Sequence, residues 1–220
     1  MKPQRPPRIL VTDFDGTMTR FDFYRMALAR LLPPEIPDYW EEYLTGRLTH
    51  FQALQQLFAD IHVPEADVLA AARAMELDPA CAPAVQRLQH AGWEIRIASA
   101  GCAWYIERLL TEQGINVTIA ANPGTYDAER GLRMLPPLDS PYYSPATGID
   151  KAAVVREALA SGAPTAFAGD GRPDLPALLL VPPDHRFARG WLADHCRAEG
   201  IPFHPFERWS EIAEKLMQMG

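Results

Sequence analysis

Three short apolar runs, each meeting a polar residue at its end, constrain the fold of this chain more than any other feature. The run at 8–12 is followed by Asp13, the run at 93–99 ends at Ser99, and the run at 164–169 is followed by Asp170. Helical patterns lie between the runs. Because apolar strands that alternate with helices are typical of a parallel sheet covered on both faces, we predict a doubly wound, Rossmann-like α/β fold.

A helical insert interrupts this alternation after the first run. Its clearest helix follows a candidate N-cap, Thr49, and has four apolar residues on one face: Phe51, Leu54, Leu57 and Phe58. We therefore expect residues 1–20 and 91–220 to form the α/β core and residues 21–90 to form an inserted helical cap.

One further stretch shows no periodicity. Residues 122–148 are rich in Pro, Gly and Tyr, and we expect a long ordered loop or a hairpin region there.

Length and composition restrict the class of partner. A chain of 220 residues with 48% hydrophobic residues can form one domain, with or without a lid. The formal net charge of -7, without a cluster of Lys and Arg, argues against a nucleic-acid surface and favours a small-molecule partner. The polar N-terminus lacks an apolar segment for a signal peptide or a membrane span, and three widely separated cysteines suit a reducing compartment. We expect a cytoplasmic protein without a membrane partner, and the oligomeric state is left open.

Carboxylates converge at the ends of the predicted strands. In an open parallel sheet, ligands bind outside the carboxyl ends of the strands, where Asp13, Asp15, Asp170 and Asp174 would meet. Several carboxylates in one crevice are costly unless a hard divalent cation lies between them, and Mg²⁺ suits oxygen ligands of this kind. In such a site Asp13 can attack a phosphorus atom, while Asp15 can give a proton to the leaving oxygen.

Each of these residues also has an ordinary structural interpretation. The sequence DFDGT at 13–17 is compatible with a simple turn, and Ser99 with the N-cap of the helix that follows it. Lys151 is compatible with a solvated lysine, although its place in the first turn of a predicted helix at 150–161 requires a nearby anion to be favourable. The six histidines are scattered without metal spacing and are expected at surface or packing positions.

Four separated motifs, in order, resemble those of the haloacid dehalogenase superfamily of phosphohydrolases. They are DFDGT at 13–17, IASAG at 97–101, Lys151 at a helix start, and GDGRPD at 169–174. The resemblance covers almost the whole chain and implies a phosphatase.

This resemblance assigns a role to each motif residue. It implies that Asp13 is the nucleophile that forms an aspartyl-phosphate and that Asp15 is the general acid and base. It also implies that Ser99, Ala100 and Lys151 bind the phosphate, with Asp174 in support. The Mg²⁺ ligands would be Asp13, Asp170 and the backbone carbonyl of Asp15.

The helical insert resembles the cap of the phosphoserine-phosphatase-like branch, and residues 186–212 are similar to the methionine-salvage phosphatases of that branch. The chain departs from the branch at several positions. Ala100 stands where the second motif commonly has Gly, and Pro173 replaces a polar residue of the fourth motif. Asp22 falls where a cap-side Glu binds substrate, and Leu57 falls at the position of a substrate-binding Arg.

The loss of that arginine favours an uncharged, sugar-like phosphate, such as the methionine-salvage enol phosphate, over phosphoserine. A phosphoserine phosphatase, a phosphotransferase or mutase, and a non-catalytic phosphate-ligand-binding protein remain as alternatives.

Overall fold

The computed structural model describes residues 7–219. The predicted core began at residue 1, and residues 1–6 and Gly220 lie outside the described residues. Within the described residues the strands are β1 (Arg8–Thr12), β2 (Trp93–Cys102), β3 (Thr118–Asn122), β4 (Gly124–Asp127), β5 (Gly131–Met134), β6 (Tyr143–Ser144), β7 (Gly148–Ile149), β8 (Thr165–Gly169), β9 (Arg186–Ala188) and β10 (His204–Pro205).

The described part of the chain also contains ten α-helices. They are α1 (Phe23–Arg30), α2 (Tyr39–Leu44), α3 (His50–Ala59), α4 (Glu65–Arg73), α5 (Cys81–His90), α6 (Ala103–Glu112), α7 (Lys151–Ala160), α8 (Leu175–Leu178), α9 (Gly190–Ala198) and α10 (Trp209–Gln218). None of the helices within residues 7–219 is both long and apolar enough to cross a lipid bilayer.

Six strands form the central sheet, in the order β10-β9-β8-β1-β2-β3, and all its paired strands are parallel. Strand β1 therefore lies in the middle. Its alternate residues enter two different apolar cores, because Leu10 packs in one cluster while Ile9 and Val11 pack in the other. A strand covered on both faces has no polar side, which explains the continuous apolar run. The predicted doubly wound parallel sheet is confirmed.

The helical insert leaves the core just after the first motif and returns beside its own exit. Thr19 and Leu77 form a bridge, and backbone hydrogen bonds join Arg20 N to Met75 O at 3.0 Å and Asp78 N to Met18 O at 3.0 Å. Helices α1 to α4 lie between these two crossings.

The face predicted for α3 is present in this insert. Thr49 accepts a hydrogen bond from the backbone N–H of Gln52, whose side chain accepts one from the N–H of Thr49 in return. The face that this capped helix buries consists of Phe51, Ala53, Leu54, Leu57 and Phe58.

Helix α5 falls inside the range predicted for the cap but packs against the sheet. Its contacts are with β2 and α10. We propose that the insert ends near Asp78, where the chain returns to the core, so that α5 counts with the core. The boundaries at residues 20 and 90 otherwise stay a prediction.

The stretch at 122–148 forms hairpins rather than a loop. Strands β4 and β5 pair antiparallel, as do β6 and β7. Gln55 of α3 donates a hydrogen bond to the Met134 carbonyl at 2.8 Å. Gly131 has a φ of +73°, and a side chain there would meet the backbone of Ala59 at 2.3 Å. The hairpin thus packs tightly on the helical insert.

Candidate active site

Polar residues of three neighbouring strands meet at the carboxyl edge of the sheet. Asp13 follows β1, Ser99 lies near the carboxyl end of β2, and Asp170 follows β8. A cavity of about 460 Å³ lies over this edge and is lined by both the core and the helical insert. The side chains predicted from the strand ends therefore line a single cavity.

Lys151 and two aspartates form a buried ion cluster on the floor of this cavity. The Lys151 ammonium lies 2.7 Å from Asp13 Oδ1 and 2.6 Å from Asp174 Oδ1, and all three side chains are buried. Burial alone lowers the pKa of Lys151, but the two carboxylates outweigh it and raise that pKa. These carboxylates are the anions that a lysine at the start of α7 requires.

One ammonium does not neutralise two buried carboxylates. Burial raises the pKa of Asp13 to about 7, with Asp174 and Asp15 adding to the rise and Lys151 opposing it. The pKa of Asp170 is raised well above its usual value, first by burial and then by Asp13 and Asp174. The cluster therefore has more carboxyl groups than one ammonium can balance, and without a cation the protonated forms of Asp13 and Asp170 are favoured.

The donor set fits a hard divalent cation. Single oxygens of Asp13, Asp170 and Asp174 lie within 4.8 Å of one another. Asp174 is already engaged, because its Oδ2 accepts hydrogen bonds from the backbone N–H groups of Asp170 at 3.0 Å and Gly171 at 2.8 Å, and its Oδ1 faces Lys151. Asp13 and Asp170 are thus the side chains with oxygens to offer a cation, and Asp174 holds the frame around them.

The turn after Asp13 accepts only glycine at its centre. Gly16 has a φ of +68°, and a side chain there would meet Asp170 Oδ2 at 2.4 Å and Asp22 Oδ1 at 2.7 Å. Thr17, in the same turn, donates a hydrogen bond to Asp170 Oδ1 at 3.2 Å. The turn therefore positions Asp170 as well as the two aspartates that it carries.

The hydrogen-bond partners of Asp15 differ from the charged partners of Asp13. Its Oδ1 accepts hydrogen bonds from the Phe23 N–H at 3.0 Å and the Tyr105 hydroxyl at 3.0 Å, and its Oδ2 lies 2.9 Å from the same hydroxyl. Burial raises the pKa of Asp15 to about 6, and the two donors oppose the rise. A carboxyl group held by neutral donors with a pKa near neutrality is suited to proton transfer.

Ser99 lies beside Asp15 and does not cap a helix. The alternative interpretation of Ser99 as an N-cap is wrong, because β2 continues to Cys102 and α6 begins at Ala103. The Ser99 hydroxyl accepts a hydrogen bond from the Gly101 N–H at 3.0 Å and lies 3.5 Å from Asp15 Oδ2. Ala100 stands where the second motif commonly has a glycine, and it is buried in the cavity wall.

The insert contributes an aromatic and apolar wall to the cavity. Its members are Tyr24, Trp40, Leu44, His50, Leu54 and Phe58. The His50 ring stacks edge-on against Trp40 and Tyr43. Burial lowers the pKa of His50 to about 4, so the ring is neutral, and its Nδ1 has no hydrogen-bond partner among residues 7–219.

Charged residues of the insert also reach the cavity. Asp22 lines it and forms an ion pair with Arg25 at 3.2 Å, and burial raises the Asp22 pKa. Leu57 does not line the cavity, because its side chain is buried in the apolar core of the insert. The absence of an arginine at that position therefore says nothing about the substrate, and Arg25 lies in the cavity instead.

Sequence reasoning missed two residues that shape the catalytic edge. Thr17 belongs to the first motif, where a threonine is typical of any turn. Tyr105 belongs to the helix after the second motif, where a tyrosine is typical of any core helix. Only the hydrogen bonds to Asp170 and Asp15 single them out.

The fold and the site define a doubly wound α/β protein with an acidic cavity at the carboxyl edge of its sheet and a helical insert over that cavity. Residues 10–179 match the family model described as haloacid dehalogenase-like hydrolase. The chain belongs to that family.

Relatives in sequence agree with the predicted class of enzyme. A protein of Microcystis aeruginosa (strain NIES-843 / IAM M-2473) is 27% identical over 211 residues, which cover 96% of this chain and 98% of the relative. One of Brevibacillus brevis is 23% identical over 223 residues, with 96% of each chain covered. Both are named 2-hydroxy-3-keto-5-methylthiopentenyl-1-phosphate phosphatase. The prediction of a phosphoric monoester hydrolase of this family is confirmed.

Solved structures agree in fold. A substrate-bound phosphoserine phosphatase complex matches with a TM-score of 0.66 and 13% identity, covering 98% of this chain and 99% of the other. A phospho-aspartyl intermediate analogue of phosphoserine phosphatase matches with a TM-score of 0.63 and 16% identity, covering 96% and 99%. At this identity the likeness establishes the fold.

Proposed function

We propose that this protein is a Mg²⁺-dependent phosphatase that hydrolyses a small phosphorylated metabolite through an aspartyl-phosphate. The observation that carries the proposal is the meeting of Asp13, Asp15, Lys151 and Asp170 in one cavity. A non-catalytic binding protein would need the lysine but not two aspartates with such different surroundings.

In the proposed reaction, an oxygen of Asp13 attacks the phosphorus and the bond from phosphorus to the leaving oxygen breaks. Asp15 gives its proton to that leaving oxygen and later removes a proton from the water that attacks the aspartyl-phosphate. The bond from phosphorus to the Asp13 oxygen then breaks, which releases phosphate and restores the Asp13 carboxylate. Lys151, Ser99 and the backbone around Ala100 hold the phosphoryl oxygens. A Mg²⁺ ion held by Asp13, Asp170 and the carbonyl of Asp15 would supply further positive charge to those oxygens.

The leading substrate is the methionine-salvage enol phosphate, 2-hydroxy-3-keto-5-methylthiopentenyl-1-phosphate. The names of the sequence relatives support it, and so does the cavity. A methylthio tail is apolar, and Trp40, Leu44 and Leu54 of the helical insert give the cavity an apolar wall. The neutral His50 ring on the same wall suits uncharged hydroxyl and keto groups.

Phosphoserine is the second candidate, because the part of the cavity that the insert lines contains a carboxylate and a guanidinium group, which could pair with the ammonium and carboxylate of phosphoserine. Asp22 and Arg25 form an ion pair there, which the ammonium and carboxylate of phosphoserine would have to break. Since that pair is already satisfied, replacing it gains less than filling an empty site, and we expect phosphoserine to be the poorer substrate.

Phosphate release with and without Mg²⁺ tests the proposal. Purified protein should release phosphate from an aryl phosphate only with Mg²⁺, and kcat/KM should be higher for the enol phosphate than for phosphoserine. Transfer of the phosphoryl group to an added alcohol, without free phosphate, would indicate a phosphotransferase or mutase. Binding of phosphate without turnover would indicate a non-catalytic protein. A kcat/KM for phosphoserine equal to that for the enol phosphate would overturn the substrate and leave the phosphatase in place.

A further inference from the structure

The Tyr105 hydroxyl both donates and accepts hydrogen bonds at the edge of the cavity. The side chain is buried, and its ring stacks on Phe23 with a centroid distance of 4.3 Å. Phe23 is also the residue whose backbone N–H donates to Asp15. The aromatic stack therefore joins the two groups that hold the Asp15 carboxyl.

The hydrogen bonds of this hydroxyl have a defined direction. The Cys102 N–H donates to the hydroxyl oxygen at 3.3 Å, which leaves the hydroxyl proton for Asp15. Burial and the neighbouring Asp15 carboxylate raise the pKa of Tyr105 well above its usual value, so the hydroxyl stays protonated. Tyr105 is thus a donor to Asp15 and not a competitor for its proton.

The Tyr105 hydroxyl occupies space that a side chain at Gly101 would fill. A side chain at Gly101 would meet the Tyr105 hydroxyl at 2.1 Å and Asp15 Oδ2 at 2.7 Å. The glycine of the second motif therefore serves the contact between Tyr105 and Asp15, in addition to the turn toward α6.

We propose that Tyr105 is a positioning residue for Asp15, whose carboxyl group it holds in the orientation that delivers a proton to the leaving oxygen. This inference rests on the proposed function. Oδ1 accepts a hydrogen bond from the Phe23 N–H at 3.0 Å, and the Tyr105 hydroxyl lies 3.0 Å from Oδ1 and 2.9 Å from Oδ2, so it contacts both oxygens of the carboxyl group. Oδ2 also lies 3.5 Å from the hydroxyl of Ser99, one of the residues proposed to bind the phosphate.

The proton balance of the step is simple. As the bond from Asp13 to phosphorus forms and the ester bond breaks, the proton moves from the Asp15 carboxyl group to the leaving oxygen, and Tyr105 keeps its own proton. Asp15 is half-buried beside the cavity, so without the Tyr105 hydrogen bond its carboxyl can rotate away from the leaving group.

Tyr105→Phe tests this role, because it keeps the buried ring and removes only the hydroxyl. The assay compares kcat/KM for phenyl phosphate, whose leaving group needs a proton, with 4-nitrophenyl phosphate, whose leaving group needs it little. General acid catalysis typically contributes about 10²- to 10⁴-fold, so we expect a loss of about tenfold or more with phenyl phosphate and less than about threefold with the nitrophenyl ester. An equal loss with both esters, or no loss with either, would overturn the proposal.

Two further variants separate this inference from the proposed function. Tyr39→Phe is the matched control, because Tyr39 also donates to an aspartate, Asp60, at 2.9 Å but lies outside the cavity lining. It should leave both esters unaffected. Asp15→Asn should show the selective loss with phenyl phosphate, and Tyr105→Phe should add nothing in that background.

The outcomes point to different conclusions. Without a selective loss in Asp15→Asn, the proposed acid role of Asp15 fails. If Asp15→Asn shows the selective loss and Tyr105→Phe does not, only the positioning role of Tyr105 fails. A circular-dichroism melt of each variant reports folding. The ratio of the two kcat/KM values does not depend on the folded fraction, so it reports the role of Tyr105 even if Tyr105→Phe is partly unfolded.

Discussion

The buried carboxylates make the stability of the metal-free protein fall as pH rises. Burial raises the pKa of Asp13 from an ordinary 3.8 to about 7 and that of Asp15 to about 6. Between the ordinary and the raised pKa, the folded state binds more protons than the unfolded state. Unfolding free energy is therefore highest, for these two groups, below their ordinary pKa and is lost as pH rises through the folded pKa.

The size of this loss in unfolding free energy depends on the pH interval over which Asp13 titrates. Since one pKa unit corresponds to about 1.4 kcal/mol, raising the pH from about 5.5 to about 8 carries Asp13 through its pKa at a cost of about 2 kcal/mol. Asp15 adds less, because most of its titration lies nearer the lower pH. Asp13→Asn removes the titrating group and leaves Lys151 paired with Asp174 at 2.6 Å.

Urea denaturation of the chelator-treated protein at the two pH values measures this cost. We expect the unfolding free energy of the wild type to fall by about 2 kcal/mol more than that of Asp13→Asn over this interval. Asp194→Asn is the control, because Asp194 forms only an exposed pair with Arg197. If the wild type and Asp13→Asn change in parallel, the buried charge at Asp13 is not the cause and the reasoning is refuted.

Other predictions concern turnover, metal and substrate. Asp13→Asn should reduce phosphate release by several powers of ten in a folded protein, and a loss of only about threefold would count against a covalent mechanism. EDTA should stop phosphate release and Mg²⁺ should restore it, whereas full activity after dialysis against EDTA would contradict the metal assignment. Asp170→Ala should raise the Mg²⁺ concentration needed for half-maximal rate or abolish turnover, because it removes a carboxylate from the cluster. Trp40→Ala should raise KM for the enol phosphate more than for phenyl phosphate, and an equal change would remove Trp40 from recognition of the tail.

The core of the fold was predictable where burial on both faces leaves a continuous apolar run. Strands β1 and β8 show that signal plainly. Strand β3 was missed because it lies at the edge of the sheet and its residues are only partly buried, which weakens the pattern. Helix α9 was also missed, since no side chain caps its N-terminus and it begins at Gly190.

The site was predictable to the extent that it depends on strand ends. Parallel strands bring their carboxyl ends to one edge, so Asp13, Ser99 and Asp170 could be grouped from sequence alone. Tyr105 and His50 depend on how helices pack over that edge, and in sequence each looks like an ordinary residue of an amphipathic helix. The place of Leu57 could not be read from sequence for the same reason, because the orientation of α3 decides whether a side chain faces the cavity or the apolar core, and Leu57 lies in the core.

The two aspartates of the first motif differ in their partners, and this difference is the physical basis for assigning them different roles. Asp13 faces an ammonium group at 2.7 Å and lies in the oxygen cluster suited to a cation, so positive charge favours its ionised, nucleophilic form. Asp15 receives neutral donors from Phe23 and Tyr105, which hold its orientation without supplying a full positive charge. A proton is therefore easier to keep on Asp15 than on Asp13 once a cation is bound. In the proposed reaction, two carboxyl groups that are chemically alike and two residues apart serve as nucleophile and acid, because one turn brings them to different kinds of partner.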